Sequence, residues 1–531
     1  MRCKHLLQFG LAALLAPLAM AAAQQPVAQQ SVAQQSGVQQ SGVQQSRAAD
    51  AGRSQAAGQA DVRSILQPQD SPTTQTIPAK PAVTVPPAPH QVINQEVRDQ
   101  SDDQLNPAVF RHHLIADRVW ISGQANFIFQ AHDPFHSPYS GPNSFQSNQG
   151  QTALSRVLTL YTGVRLTRWG EFLLDVEETG GKGLSEALGL AGYVNLDVVR
   201  NPQLGQGVYL SRYMVHQTFP LTADRVETQP NPFYLERSLP RRRIEFRMGK
   251  MSMVDFFDVN AVGSDSHLQF TNWAIDNNGG YDYAADTRGY TIAATLEYQG
   301  PGFGVRFGEA LMPTVANGIT LDYALRRARA ENLEFELRPH LWQGHTTEIR
   351  ALAYLNHANM GDYRQAIDAY RDGRDKAPDI TLHRHQGTLK QGFGLNVQQD
   401  LPANFRAYLR AGWNEGHHES FAYTEINNTV SLGADVSGDA WGRPLDRIGS
   451  AIVTSGLSRD HRDYLALGGL GFLLGDGRLN YGREFVSETY YNLHAIGGLY
   501  FALQLSAVAN PGYNRDRGPI VVPGVRAHID F

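Results

Sequence analysis

Six aspartates, Asp255, Asp258, Asp265, Asp276, Asp282 and Asp286, fall between Ser252 and Thr287, a stretch with no Lys or Arg. The same stretch carries Phe256, Phe257, Phe270, Trp273, Tyr281 and Tyr283. Carboxylates accept hydrogen bonds and aromatic faces cover apolar ones, so this composition suits a small polar solute held by hydrogen bonds and stacking. Elsewhere arginine stands beside glutamate, as in Glu245 with Arg247 and Glu348 with Arg350, while Arg406, Arg410 and Arg526 sit on segments that alternate polar with apolar. Nothing comparable speaks for bond-making. His112-His113, His383-Arg384-His385 and His417-His418 lack acidic or Cys partners at zinc-like spacing. Gly468–Gly475 is glycine-rich, but it does not follow a buried strand that opens a helix, as a nucleotide loop must. No Ser/His pair stands out as nucleophile and base. The expectation is a protein that is not an enzyme and uses no metal and no cofactor.

The elements that carry these residues are strands. Side chains i, i+2 and i+4 share one face of a strand. Phe405, Ala407, Leu409, Ala411 and Trp413 alternate with Arg406, Tyr408, Arg410 and Asn414. Leu333, Phe335 and Leu337 alternate with Glu334, Glu336 and Arg338. Tyr290, Ile292, Ala294, Leu296 and Tyr298 form a similar face, and the two tyrosines would cap a lipid-facing band about 20 Å tall. Sixteen such segments can be placed, near 119–131, 156–167, 171–179, 208–218, 243–251, 288–298, 303–311, 332–342, 346–356, 391–400, 404–415, 428–438, 446–456, 483–494, 498–509 and 518–531. Their connectors alternate short and long, the pattern of an outer-membrane barrel with short periplasmic turns and long external loops. One connector breaks the pattern: 219–242 is long where a short turn belongs. The last strand alternates Val525, Ala527, Ile529 and Phe531 with Arg526, His528 and Asp530. The predicted fold is all-β, a transmembrane antiparallel barrel of about 16 strands.

The barrel is expected over residues 106–531. Residues 1–23 read as a signal peptide: Arg2 and Lys4 precede a mostly apolar Leu6–Met20 and small residues at Ala21–Ala23. Residues 24–105, with Gln-Gln-Ser repeats and then Pro, Thr and Ala, read as a low-complexity disordered periplasmic leader. The lone cysteine, Cys3, lies in the signal segment. A net charge of −5 offers no basic field for nucleic acid.

The stretches Arg247–Asn260, Gln269–Trp273, Tyr281–Tyr290 and Asn510–Pro519, with Trp120–Asn126 on the first strand, resemble the carbohydrate-selective porins of the OprB-like family. The likeness runs from about 110 to 531. It implies a sixteen-stranded porin of the bacterial outer membrane that passes small sugars by passive, facilitated diffusion. The other solute class in play is another small polar molecule or ion, through a porin or an exporter. Expected partners are sugars as cargo, outer-membrane lipid, and the assembly machinery that would read Phe531. Porins are often homotrimers. In such a pore the third external loop folds into the lumen, which makes Asp255, Phe256, Phe257, Asp265, Trp273 and Asp282 candidates for the constriction. Strand parity sets Glu245, Arg247, Glu348, Arg350, Arg406, Arg410 and Arg526 on the lumen wall opposite. Mixed charge suits a neutral sugar better than an ion.

Overall fold

The computed structural model describes residues 118–198, 207–228, 230–342, 344–421 and 425–531. The expected signal peptide and leader, and His112-His113, lie outside the described residues. The strands are β1 (Val119–His132), β2 (Gln151–Arg165), β3 (Gly170–Gly181), β4 (Tyr209–Pro220), β5 (Arg225–Glu227), β6 (Ser238–Pro240), β7 (Arg243–Met251), β8 (Thr291–Gln299), β9 (Phe303–Ala310), β10 (Arg329–Leu337), β11 (Thr347–Gly361), β12 (Arg384–Leu401), β13 (Phe405–Asn414), β14 (Asn428–Gly438), β15 (Arg443–Gly456), β16 (Glu484–Ile496), β17 (Leu499–Ala509) and β18 (Ile520–Asp530). All but β5 and β6 join in one closed antiparallel barrel of sixteen strands.

Closure answers a solvation problem. Lipid offers no hydrogen bonds, so a spanning sheet has to satisfy its own edges. The seam pairs β1 with β18 from Gln124↔Asp530 to Gln130↔Gly524. Phe531 extends it: its amide and carbonyl meet those of Gly123 at 2.9 and 2.7 Å. Its ring lies where a side chain at position 123 would stand, which only glycine allows.

The barrel is apolar outside and polar inside, as the alternation predicts. On β13 and β14, Trp413, Val430 and Leu432 are exposed outward, while Tyr408, Arg410, Ser431 and Asp435 are buried inward. Each of the sixteen expected segments overlaps a barrel strand. One outward assignment fails. Tyr290 does not cap a lipid-facing band: β8 begins at Thr291, so strand parity stops before it, and its hydroxyl reaches Glu177 at 3.1 Å.

The anomalous connector after β4 also resolves. β5 and β6 make a separate two-stranded hairpin within it. At the external end, helices Tyr363–Arg371 and Arg459–Ala466 pack together, with the Tyr363 ring stacked on His461 at 4.3 Å. Two long connectors turn inward: the second external loop, over its described residues 182–198, and the third, 252–290.

Candidate functional site

The third loop is built from short capped turns. Ser252 and Asp255 form a capping box at its start, and the Asn272 side chain accepts from the Ala274 amide to open the one-turn helix Trp273–Asp276. Wall side chains then fasten it. Arg410 pairs with Asp258 at 2.9 Å and donates to the carbonyls of Gly263, Ile275 and Asp276 at 3.1, 3.0 and 2.9 Å. Arg526 donates to the carbonyls of Ser266 and Gln269 at 2.9 and 2.8 Å. Glu488 accepts the Thr271 and Asn272 amides at 2.7 and 2.9 Å. Asp282 accepts from the Phe421 amide and pairs with Lys390 at 2.9 Å. Asp265 accepts the His267 and Leu268 amides.

Below these anchors runs a ladder of buried ion pairs. Arg243 meets Glu245 at 2.5 Å, Arg247 bridges Glu245 and Glu297, Arg306 bridges Glu297 and Glu334, and Arg350 bridges Glu348 and Glu336. Strand register makes this possible. Glu297 sits opposite Arg306, Arg306 opposite Glu334, and Glu336 opposite Arg350. Arg247, Glu297, Arg306, Glu334, Glu336 and Arg350 each have a partner one strand away, and Arg243 and Glu348 pair two residues along their own strand, which compensates much of the cost of withdrawing them from water.

The open space lies elsewhere. A cavity of about 240 Å³ runs between β2, β3 and β4 on one side and the second and third loops on the other. The two loops are stitched by the Trp273 amide to the Tyr193 carbonyl at 3.0 Å and the Leu196 amide to the Thr271 carbonyl at 2.9 Å. On the strand side, Arg212 pairs with Asp175 and, at 2.5 Å, with Asp255. Glu177 accepts from Tyr209, from Tyr290 at 3.1 Å and from Thr159 at 3.3 Å. On the loop side, Trp273 stacks on Tyr283 at 6.3 Å with 11° between planes, and Phe257 and Asp265 join the lining.

Among the loop groups with shifted protonation are His267 and Asp276. Burial alone would lower the His267 imidazole, but the Asp197 carboxylate 3.5 Å away outweighs it and lifts the ring to about 9. Burial pushes Asp276 up to about 8 against the pull of Arg410.

The residues singled out in the sequence therefore divide. Asp255, Phe257, Asp265 and Trp273 line the cavity, whereas Phe256 lies behind it under the Arg247 guanidinium at 4.9 Å and Asp282 anchors the loop. Glu245, Arg247, Glu348 and Arg350 belong to the ladder, Arg410 and Arg526 hold the loop, and Arg406 pairs with Asp435 at 2.6 Å. Sequence reasoning missed Glu177, Arg212, Tyr193, Asp197 and His267. For the second loop a signal existed: the run Ala187–Val194 is too apolar for a segment standing in water.

Comparison with known proteins sets this site in a family. The family described as carbohydrate-selective porin, OprB family, matches residues 146–531. Among solved structures, OprB of Pseudomonas putida at high pH superposes with a TM-score of 0.58 at 16% identity, over 79% of this chain and 95% of that one. The outer-membrane channel DcaP of Acinetobacter baumannii aligns with a TM-score of 0.45 at 10% identity, over 78% and 97%. No curated protein matches the chain in sequence. With the family matched over most of its length and the sixteen-stranded barrel in place, the chain belongs to the OprB family of carbohydrate-selective porins and is a sugar channel of the bacterial outer membrane.

Proposed function

We propose that the sugar crosses between the β2–β4 wall and the two inward loops, and that Arg212, Glu177 and Asp255 hydrogen-bond its hydroxyls while Trp273 or Tyr283 covers the apolar face of the ring. One observation carries this reading: a paired guanidinium, hydrogen-bonded carboxylates and an aromatic stack line a single cavity of about 240 Å³. That volume is below the roughly 300–1,000 Å³ of pockets for drug-sized ligands, which suits a monosaccharide. Carboxylates and a guanidinium together supply acceptors and donors for hydroxyls, and the mixed charge gives an ion of either sign no clear advantage.

Arg247, Glu245, Arg350, Glu348, Arg410 and Arg526 act at one remove in this proposal, by holding the third loop and the wall in shape. Arg406 faces the lumen beside Asp435 and is a later contact on the route. Residues 1–23 would direct export and be removed, 24–105 would stay in the periplasm, and Phe531 would serve the assembly machinery. Homotrimer formation is a separate proposal, readable from the mass of the detergent-solubilised channel.

The test is single-channel recording with sugar as blocker. Arg212→Ala removes a charged donor worth about 1.5–3 kcal/mol, so the sugar concentration for half-block should rise about tenfold or more. Glu177→Gln should move it less. Unchanged half-block in both variants would overturn the passage.

A further inference from the structure

The connector between β4 and β7 lies on the periplasmic side, where the other turns are short. It does not hang below the barrel. Its hairpin tip, Asn231–Leu235, enters the lumen, and Phe233, Tyr234 and Leu235 are all buried. The tip is held at both backbone polar groups of Leu235: Glu171 of β3 accepts from its amide at 2.8 Å, and Arg165 of β2 donates to its carbonyl at 3.1 Å. The Leu235 side chain fills the space over Gly163, where a Cβ would stand 3.0 Å from it.

The inner wall is shaped for this guest. A water-filled lumen should be polar, yet Trp120, Leu173 and Met214 face inward here and are buried in the same apolar cluster as Phe233, Tyr234 and Leu235. The hairpin covers an apolar patch that would otherwise face water. At its top, the Phe233 ring lies 4.5 Å from the Arg212 guanidinium and edge-to-face with Phe256 of the third loop at 5.8 Å. Arg212 stands eight residues above the periplasmic end of β4, roughly 20 Å along a tilted strand. The tip thus meets the external loop at the cavity, and Phe233 is part of the cavity lining.

We propose that this periplasmic hairpin is a second constriction element, and that Phe233 is a specificity-determining residue that floors the sugar passage and positions Arg212. The third loop narrows the pore from outside, and the hairpin narrows it from the periplasm. The size limit of the channel is then set where Phe233, braced from behind by Phe256, faces the passage. This deepens the passage proposed above and rests on it for the role of Arg212, but not for the narrowing itself.

The experiment uses three variants of the full chain in planar bilayers and in liposomes with sugars of increasing size. One replaces residues 228–237 by Asn-Gly, which a two-residue hairpin turn accepts. The others are Phe233→Ala and Phe233→Trp. Folded barrel is confirmed by its heat-modifiable gel mobility. The trimmed hairpin should raise conductance at least about twofold and admit disaccharides, because the narrowest ring of the pore has lost one wall. Phe233→Ala should move both readouts the same way by less, and Phe233→Trp should lower conductance. Wild-type conductance and size limit in the folded trimmed variant would overturn the proposal. Should that variant not fold, unchanged values in both Phe233 substitutions would do the same. Failure of the passage alone looks different: Arg212→Ala would leave sugar block unchanged while the trimmed hairpin still widened the pore.

Discussion

The inner wall of β7–β11 and the inner wall of β1–β4 follow the same alternation and do opposite things. The first carries Arg and Glu in adjacent rungs, and register closes them on one another from Arg247 through Arg350. The second carries Gly163, Leu173 and Met214 low down, covered by the periplasmic hairpin, and Glu177 and Arg212 above them beside open space. A charge in the first wall is spent on its neighbour. Glu177 and Arg212 in the second keep a face toward the passage. Facing the lumen and facing the solute are different properties.

The largest effect should come from breaking the ladder. Arg247→Ala leaves Glu245 and Glu297 buried side by side with one shared cation gone, a loss of about 3–5 kcal/mol. The midpoint of urea unfolding in detergent should fall accordingly. A variant as stable as the parent, with altered sugar block, would transfer Arg247 to the solute's side of the comparison. Arg410→Ala comes next. It removes the cation that gathers four loop carbonyls, those of Asp258, Gly263, Ile275 and Asp276, so the third loop should loosen and open-channel current should become larger and noisier. On the cavity wall, Arg212→Ala also strips a cation from Asp175 and Asp255, so unfolding should fall as well; what separates it from Arg247→Ala is sugar block, which should shift only when Arg212 is lost.

The smallest effect concerns the clasp between the loops. His267 faces Asp197 and Asp265, with Arg526 nearby and the His528 ring stacked on it at 5.7 Å. Its value of about 9 in the fold lies above the ordinary 6.5. Its contribution is therefore complete below about 6.5 and is lost as pH climbs through 9. Current noise should rise above pH 9, and His267→Gln should show that noise already at neutral pH. Noise independent of pH would remove the clasp from the account.

Much of this was legible in the sequence, for a physical reason. Period two is a property of the strand itself, so Phe405 to Asn414 announces its faces without knowledge of any neighbour. Parity likewise places Arg410 and Arg526 inside. What parity lacks is the third dimension of the lumen. Whether Arg350 meets a sugar or Glu336 depends on which strand lies alongside and at what register, and that is fixed only when the barrel closes. The hairpin was hidden differently. Asn231-Pro232-Phe233-Tyr234-Leu235 reads as a turn with an apolar tail, and its partners Trp120, Leu173 and Met214 are spread over three strands. Read together, an apolar connector and apolar inward positions were the signal.

The most direct measurement is a crystal structure with a monosaccharide soaked to saturation. The sugar is expected between the β2–β4 wall and the inward loops, with hydroxyls at hydrogen-bond distance from Arg212 and Glu177 and its ring against Trp273 or Tyr283. A sugar seated instead on the ladder, with hydroxyls on Arg350 or Arg247, would contradict it.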